Sequence, residues 1–207
     1  MKKLFYFLSV FIFVQSLSAQ TKIAVKGGFN YSSARVYIND IKQSATFKAG
    51  FGAGLLFKMP FDGLLHFSPY IAYNLRGYKY TTKGAIDTTY DNSIHYIDLV
   101  PALSIDIPSG ANSFVISAGP ELGIAFSGKE KRTINGVTAS SKMKFSTDGE
   151  YGYFDLGLST SLGYHTKHFL VEAGFQFGLA NINNDVDLDH RNIQNRMLSL
   201  NLGYYIK

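Results

Sequence analysis

Residues 154–164 read Phe-Asp-Leu-Gly-Leu-Ser-Thr-Ser-Leu-Gly-Tyr and alternate between large apolar side chains and small or polar ones. Successive side chains of a β-strand point to opposite faces, so this stretch predicts a strand with one apolar face. The second face carries Asp155, Gly157, Ser159, Ser161 and Gly163. So many glycines would only weaken a strand that faces water, whereas a crowded barrel interior uses the space they leave. This face is therefore predicted to line a lumen.

The same alternation recurs along the chain and predicts eight strands in all. The other seven lie near residues 23–31, 47–59, 65–76, 96–107, 114–126, 169–179 and 198–206. Strands of about ten residues are long enough to cross a bilayer obliquely. The predicted fold class is all-β: an eight-stranded antiparallel up-and-down transmembrane β-barrel.

The predicted connections alternate between short turns and longer polar loops. The turns are Pro60–Gly63, Pro108–Gly110 and His165–His168, and the loops are 79–93, 128–150 and 181–194. Outer-membrane barrels have short periplasmic turns and longer extracellular loops, so both termini are expected on the periplasmic side. The alternative is a soluble lipocalin-like barrel, whose apolar face would point inward.

The first 19 residues have the layout of a secretory signal peptide. Basic Lys2 and Lys3 precede an apolar run from Leu4 to Val14, and small or polar residues follow up to Ala19. We expect cleavage near Ala19 or after Ser18, which leaves residues 20–207 as one outer-membrane β-barrel domain. With no cysteine, the chain cannot be a lipid-modified lipoprotein and forms no disulfide.

Charge and motifs argue against several function classes. Without Lys2 and Lys3 the chain has 18 basic and 15 acidic residues, an excess too small to indicate nucleic-acid binding. Its five histidines lie in no recognisable serine-containing motif, and no glycine-rich loop leads from a strand into a helix. We therefore expect no enzymatic activity, no catalytic residues and no organic cofactor.

Isolated charges on the small and polar face are candidate lumen residues. They are Lys26, Lys48, Arg76, Asp98, Glu121 and Glu172. An eight-stranded barrel has an interior just wide enough for side chains, and a buried charge without a partner is costly. These residues are expected to form ion pairs with one another; the alternative is a narrow polar or proton path.

The predicted outer loops carry two charged groups. Asp185, Asp187 and Asp189 alternate beside two asparagines and offer oxygen ligands that suit a divalent cation, with a solvated acidic loop as the alternative. The basic group could contact the anionic headgroups of lipopolysaccharide. It consists of Lys129, Lys131, Arg132, Lys142 and Lys144.

Several short motifs, in this order, resemble the PorT-like family of porin-like outer-membrane β-barrels from Bacteroidetes-type bacteria. They are Val25–Ser32, Phe67–Gly77, Tyr96–Pro101, Ser117–Pro120, Gly178–Ile182, Asn195-Arg196 and Leu202–Tyr204. Two positions depart from the family pattern: Tyr70 stands where Glu is typical, and Gly174 where Arg is frequent. We predict that a tyrosine over a glycine replaces a lumen ion pair.

The strand pattern and this resemblance together predict a protein of the cell outer membrane with a structural or binding role through its extracellular loops. The resemblance also implies a second function, as an accessory component of a protein secretion or envelope assembly system. A third candidate is a narrow small-solute channel. Expected partners are outer-membrane lipid and lipopolysaccharide, the barrel assembly machinery, and envelope or secretion proteins.

Overall fold

The computed structural model describes residues 21–83, 86–146, 150–184 and 190–207, and the strands in these ranges form one antiparallel sheet. The predicted signal peptide lies outside the described residues. These described ranges contain twelve strands. They are β1 (Lys22–Ile38), β2 (Ile41–Gln43), β3 (Ala45–Asp62), β4 (Leu65–Phe67), β5 (Tyr70–Thr82), β6 (Thr88–Val100), β7 (Leu103–Ser109), β8 (Asn112–Ile134), β9 (Val137–Lys142), β10 (Phe154–His165), β11 (Phe169–Gly178) and β12 (Arg191–Tyr205).

The sheet closes into a barrel because the first and last strands pair with each other. Backbone pairing runs from β1 to β3, β5, β6, β8, β10, β11 and β12. The β1–β12 ladder then joins Ala24 to Tyr205 at one end and Ile38 to Arg191 at the other. A closed ring leaves no exposed sheet edge within the wall.

The strand count exceeds the predicted eight because prolines divide two of the predicted strands and because β2 and β9 are additional. Pro69 directly precedes Tyr70, the first residue of β5, and Pro101 follows Val100, the last residue of β6. Proline has no backbone N–H for the ladder and is tolerated in sheets mainly at edges and breaks. β4 pairs with β7, so these two segments continue the wall beyond the breaks.

The large apolar side chains face outward, which contradicts the soluble alternative. Phe29 is 81% exposed and Leu202 is 64% exposed. The opposite face holds buried polar residues such as Asn30, Asp98 and Glu172. A barrel that is apolar outside and polar inside matches a lipid environment.

Aromatic contacts lie in two groups on the outward face. One group lies toward the outer end, where Tyr73 packs against Phe51, His95 and Phe126. The other lies near the termini, where Tyr204 packs against His168 and Phe169. This arrangement is typical of the aromatic girdles at the two membrane interfaces.

The polar stretches predicted as loops are largely strands. β5 and β6 extend through residues 79–82 and 88–93, and β8 continues to Ile134 and turns back as β9. Threonine and tyrosine are frequent in these segments and favour strands even where both faces meet water. The first outer connection is a tight turn, in which Asn39 and Asp40 have φ angles of 49° and 62°.

Within the described ranges, no helix has the length and apolar character needed to cross a membrane.

Candidate functional site

A buried charge cluster occupies the middle of the lumen. Arg76 on β5 lies 2.6 Å from Asp98 on β6 and 3.3 Å from Asp155 on β10, and it also pairs with Glu121 on β8. Each of these four side chains is less than 5% exposed. We call Arg76, Asp98, Glu121 and Asp155 the central cluster; it sets three carboxylates against one guanidinium.

Neutral side chains complete the central cluster. Asn74 donates to Asp98 at 2.6 Å, and Asn195 donates to Asp155 at 2.8 Å. The Arg76 guanidinium carbon lies 4.7 Å from the centre of the Tyr96 ring, in a cation–π contact. These contacts hold the guanidinium in one position on the barrel axis.

A second cluster lies toward the termini. Lys26 on β1 is 2.9 Å from Glu172 on β11, and His165 contacts the other oxygen of this carboxylate at 3.2 Å. Because a carboxylate only accepts, His165 Nε2 carries the proton in this hydrogen bond. Tyr205 then contacts His165 Nδ1 at 2.8 Å, and Lys58 lies 3.4 Å from the same nitrogen. This second cluster forms a continuous polar network across five strands.

The structure brings five of the six predicted lumen charges together in these two clusters. Lys48 is the exception, because its amine reaches Asp91 and the backbone oxygen of Asn92 on β6. The pairing of β3 with β5 shifts between Phe47 and Gly52. A Cβ atom at Gly77 would lie 3.0 Å from Lys48 Cδ, so the glycine makes room for this side chain.

Three charged lumen residues, Asp155, Lys58 and Asp106, were not among the six predicted lumen charges. Asp155 joins the central cluster, and Lys58 pairs with Asp106 beside His165. The signal was present, since Asp155 alternates with Phe154 and Leu156 on the small and polar face.

Tyr70 does not fill the space over Gly174, so that prediction was wrong. The Tyr70 hydroxyl contacts Ser159 at 2.7 Å, and the Lys26 amine lies 4.0 Å from the ring centre. The atom nearest to a Cβ at Gly174 would be Ser199 Oγ, at 2.7 Å. Tyr70 therefore supports Lys26, whereas Gly174 accommodates a neighbouring serine.

Three small cavities lie in the lumen that the described residues form. One of about 30 Å³ lies between Lys26 and Asn74. Two of about 10 Å³ lie beside Asp155 and beside His165. A water molecule needs roughly 10–15 Å³, so each cavity has room for one or two waters at most.

The outer end of the barrel is closed by packed aromatic and aliphatic side chains. The buried members are Ala34, Val36, Tyr78, Tyr80, Ile94, Tyr96, Ala125, Met143, Tyr151, Ile182 and Ile193. Tyr151, in the connection between β9 and β10, donates to Glu130 at 2.8 Å. Burial raises the pKa of Tyr151 above its usual value, so the hydroxyl stays protonated in this hydrogen bond.

A hairpin extends beyond this closed end. β8 and β9 pair from Lys129 with Lys142 to Ile134 with Val137, and the turn residues Asn135 and Gly136 have φ angles of 49° and 80°. These angles are typical of a type I′ turn, for which Asn-Gly is a strong sequence signal. All six residues of β9 are exposed, and among the described residues β9 pairs with β8 alone.

The predicted basic group surrounds this hairpin. Lys129, Lys131 and Arg132 lie on β8, Lys142 ends β9, and Lys144 follows it; all five are exposed. Arg132 pairs with Glu130 at 3.0 Å.

The predicted cation ligands Asp185, Asp187 and Asp189 lie outside the described residues. Within the described ranges, no group of three or more His, Cys, Asp or Glu side chains is arranged to hold a metal ion.

Comparison with known proteins gives a family match over most of the chain. Residues 13–184 match the model of a family described as outer membrane protein beta-barrel domain. No curated protein sequence matches the chain.

Solved structures with a similar fold include three bacterial barrels. Neisserial surface protein A is 13% identical, with 88% of this chain and 96% of that chain covered and a TM-score of 0.44. For Ail, the attachment invasion locus protein of Yersinia pestis, identity is 15%, coverage 89% and 98%, and the TM-score 0.47. For OprG from Pseudomonas aeruginosa, the values are 14%, 89% and 95%, and 0.45.

Proposed function

Because the chain belongs to the outer membrane protein beta-barrel domain family, we propose that it is a non-enzymatic outer-membrane protein that binds a partner through its outer end. The protein is located in the cell outer membrane. The observation that carries the proposal is the β8–β9 hairpin, which projects beyond a barrel whose interior is filled.

The filled lumen favours binding over conduction. The cavity between Lys26 and Asn74 has a volume of only about 30 Å³. Side chains with less than 5% exposure, among them Arg76 and Asp98, occupy the middle of the lumen. A conducting pore needs a continuous column of water, and isolated cavities of one or two waters do not provide one.

The free edge of β9 supports a specific mode of binding. In a two-residue hairpin the residues that flank the turn, here Ile134 and Val137, exchange both backbone hydrogen bonds. The backbone N–H groups then alternate along the strand. The N–H groups of Thr138, Ser140 and Lys142 point away from β8, to the side where an added strand would pair. An extended polypeptide could pair with this edge.

The charge of the hairpin indicates which kind of polypeptide would bind to it. Lys129, Lys131 and Lys142 are exposed on the hairpin, whereas its one carboxylate, Glu130, is only 5% exposed. Val137, next to the turn, is 74% exposed and offers an apolar contact. We infer that the hairpin takes up an extended acidic segment of another polypeptide.

The finer resemblance to PorT-like barrels supports a more specific second proposal. In this proposal the chain is an accessory of a secretion or envelope assembly system, and the segment paired with β9 comes from another envelope protein. The same free edge would serve both functions, so the identity of the bound polypeptide distinguishes them.

A proline at position 140 tests the proposal without removing the hairpin. Ser140→Pro deletes one outward N–H but leaves the N–H groups that pair with β8, and proline is tolerated on such an edge. The control is Ser140→Ala, which keeps the N–H. The probe is a labelled peptide of about ten residues that alternates Thr and Glu, and its binding to the purified protein is measured by fluorescence anisotropy.

We expect the wild type and Ser140→Ala to bind the peptide, and Ser140→Pro to bind about tenfold more weakly or not at all. Replacing Lys131 and Lys142 by Gln should also weaken binding and reduce its dependence on salt. Equal binding by Ser140→Pro and Ser140→Ala would exclude strand addition at β9.

A further inference from the structure

Two arginines stand next to each other on the outward wall of the barrel. The β1–β12 ladder pairs Ser33 with Arg196 and Arg35 with Gln194. Arg35 and Arg196 are therefore diagonal neighbours on one face of adjacent strands, which brings long side chains within reach of each other. This face is the outward one, because Asn195 and Met197 on either side of Arg196 are buried in the barrel.

The arginine pair lies where the lipid-facing surface ends. On β12 the outward residues between Arg196 and the C-terminal end of the strand include Leu198, Leu200 and Leu202. They are 48%, 56% and 64% exposed. Beyond Arg196 the outward residues are Gln194 and Asn192. An apolar row that changes to a basic and then a polar residue marks the level of lipid headgroups. Since this is the outer end, the headgroups are those of the outer leaflet.

Aromatic packing holds one of the two guanidinium groups against the wall. The Arg35 guanidinium carbon lies 4.3 Å from the centre of the Phe177 ring, and Arg35 Nη2 donates to the backbone oxygen of Gly178 at 3.4 Å.

Neither arginine has an acidic partner among the residues that the structure describes. By contrast, Arg76 on β5 and Arg191 on β12 each pair with at least one carboxylate. Two adjacent cations at a lipid interface, without a carboxylate partner among the described residues, favour an anion from outside the chain.

We propose that Arg35 and Arg196 bind a phosphate group of lipid A, the membrane anchor of lipopolysaccharide, with acyl chains lying along Leu198 and Phe177. Guanidinium groups match phosphate oxygens with paired hydrogen bonds. The inference rests on the outer-membrane location and does not depend on the hairpin, so a failure of strand addition at β9 would leave it unaffected.

The test compares lipid A forms on the purified protein in detergent. The probes are fluorescent diphosphoryl lipid A and its dephosphorylated form, and inorganic phosphate serves as competitor. The variant is Arg35→Gln with Arg196→Gln. The matched control removes the same kind of charge from a short turn at the other end, by Lys167→Gln. A change of gel mobility on boiling verifies that each protein is folded.

We expect the wild type and Lys167→Gln to bind diphosphoryl lipid A at least about tenfold more tightly than the dephosphorylated form. The Arg35→Gln, Arg196→Gln variant should lose this preference, and the corresponding double Lys variant should retain part of it. If the glutamine variant did not fold, Arg196→Gln alone would be measured. This single variant should lose part of the preference for diphosphoryl lipid A.

Two outcomes would overturn the proposal. One is an unchanged preference for phosphorylated lipid A in the folded glutamine variants. The other is displacement of lipid A by inorganic phosphate at equal concentration, which would mean that the arginines form a site for the free anion.

Discussion

The guanidinium of Arg76 on β5 lies 2.6 Å from the carboxylate of Asp98 on β6, and neither side chain is more than 4% exposed. Glu121 and Asp155 contact the same guanidinium. The middle of the lumen therefore depends on one cation that three carboxylates share. Removing the cation leaves more uncompensated charge than removing any one carboxylate.

Arg76→Met should destabilise the barrel strongly. Loss of one partner from a buried ion pair costs about 3–5 kcal/mol, because the remaining charge stays buried without compensation. The measurement is urea unfolding of the protein in lipid vesicles, followed by gel mobility. Lys48→Met is the control: the Lys48 side chain is 26% exposed and Asp91 32%, so its loss should cost about 1 kcal/mol or less. Equal unfolding curves for Arg76→Met and Lys48→Met would contradict this role for Arg76.

Gly28 and Gly27 provide a second comparison, at the seam where the barrel closes. A Cβ at Gly28 would lie 1.9 Å from the backbone oxygen of Leu200 on β12, whereas one at Gly27 would lie 3.3 Å from its nearest atom. Gly28→Ala should lower the free energy of unfolding by about 3 kcal/mol, because backbone must move to admit the methyl group. Gly27→Ala should cost less than about 1 kcal/mol. The same urea titration measures both, and a Gly28→Ala protein as stable as Gly27→Ala would refute the close approach.

Period-two alternation is a local property, and it predicted which face of each strand is apolar. It could not predict that Lys26 pairs with Glu172, since this contact joins residues 146 positions apart in the sequence. Such a pair depends on the stagger of several strands, which the sequence does not display. The position of the Lys48 side chain beside Gly77 likewise depends on a local shift in the register of β3 and β5.

The structure also differs from the prediction in the polar segments at the outer end. Residues 128–150 were predicted to form a loop because they are polar, yet Asn135-Gly136 joins two strands in this stretch. That dipeptide was a readable hairpin signal. The cation site at Asp185, Asp187 and Asp189 stays a prediction.

Tyr151 predicts a loss of stability at alkaline pH. Burial raises its pKa in the folded protein, so the protonated hydroxyl contributes fully below the unfolded pKa of about 10, and this contribution declines as pH rises above that value. The comparison is with Tyr151→Phe, which shares every other ionisable group with the wild type. Above about pH 10, unfolding free energy should fall less steeply in the variant, by up to about 1.4 kcal/mol per pH unit. Parallel slopes for the two proteins would show that Tyr151 ionises freely.

Conductance measurements test whether side chains fill the lumen in the membrane. Because buried side chains fill the middle of the lumen and the cavity beside Lys26 has a volume of only about 30 Å³, the wild type should show no single-channel steps in a planar bilayer with concentrated KCl. Tyr78 and Tyr96 are each at most 1% exposed and belong to the cluster that closes the outer end. A protein with both tyrosines replaced by Ala that still folds should also stay closed, because the central cluster still fills the middle of the lumen. Regular steps from the wild type would mean that ions pass these side chains, and the small-solute channel would then replace binding as the preferred function.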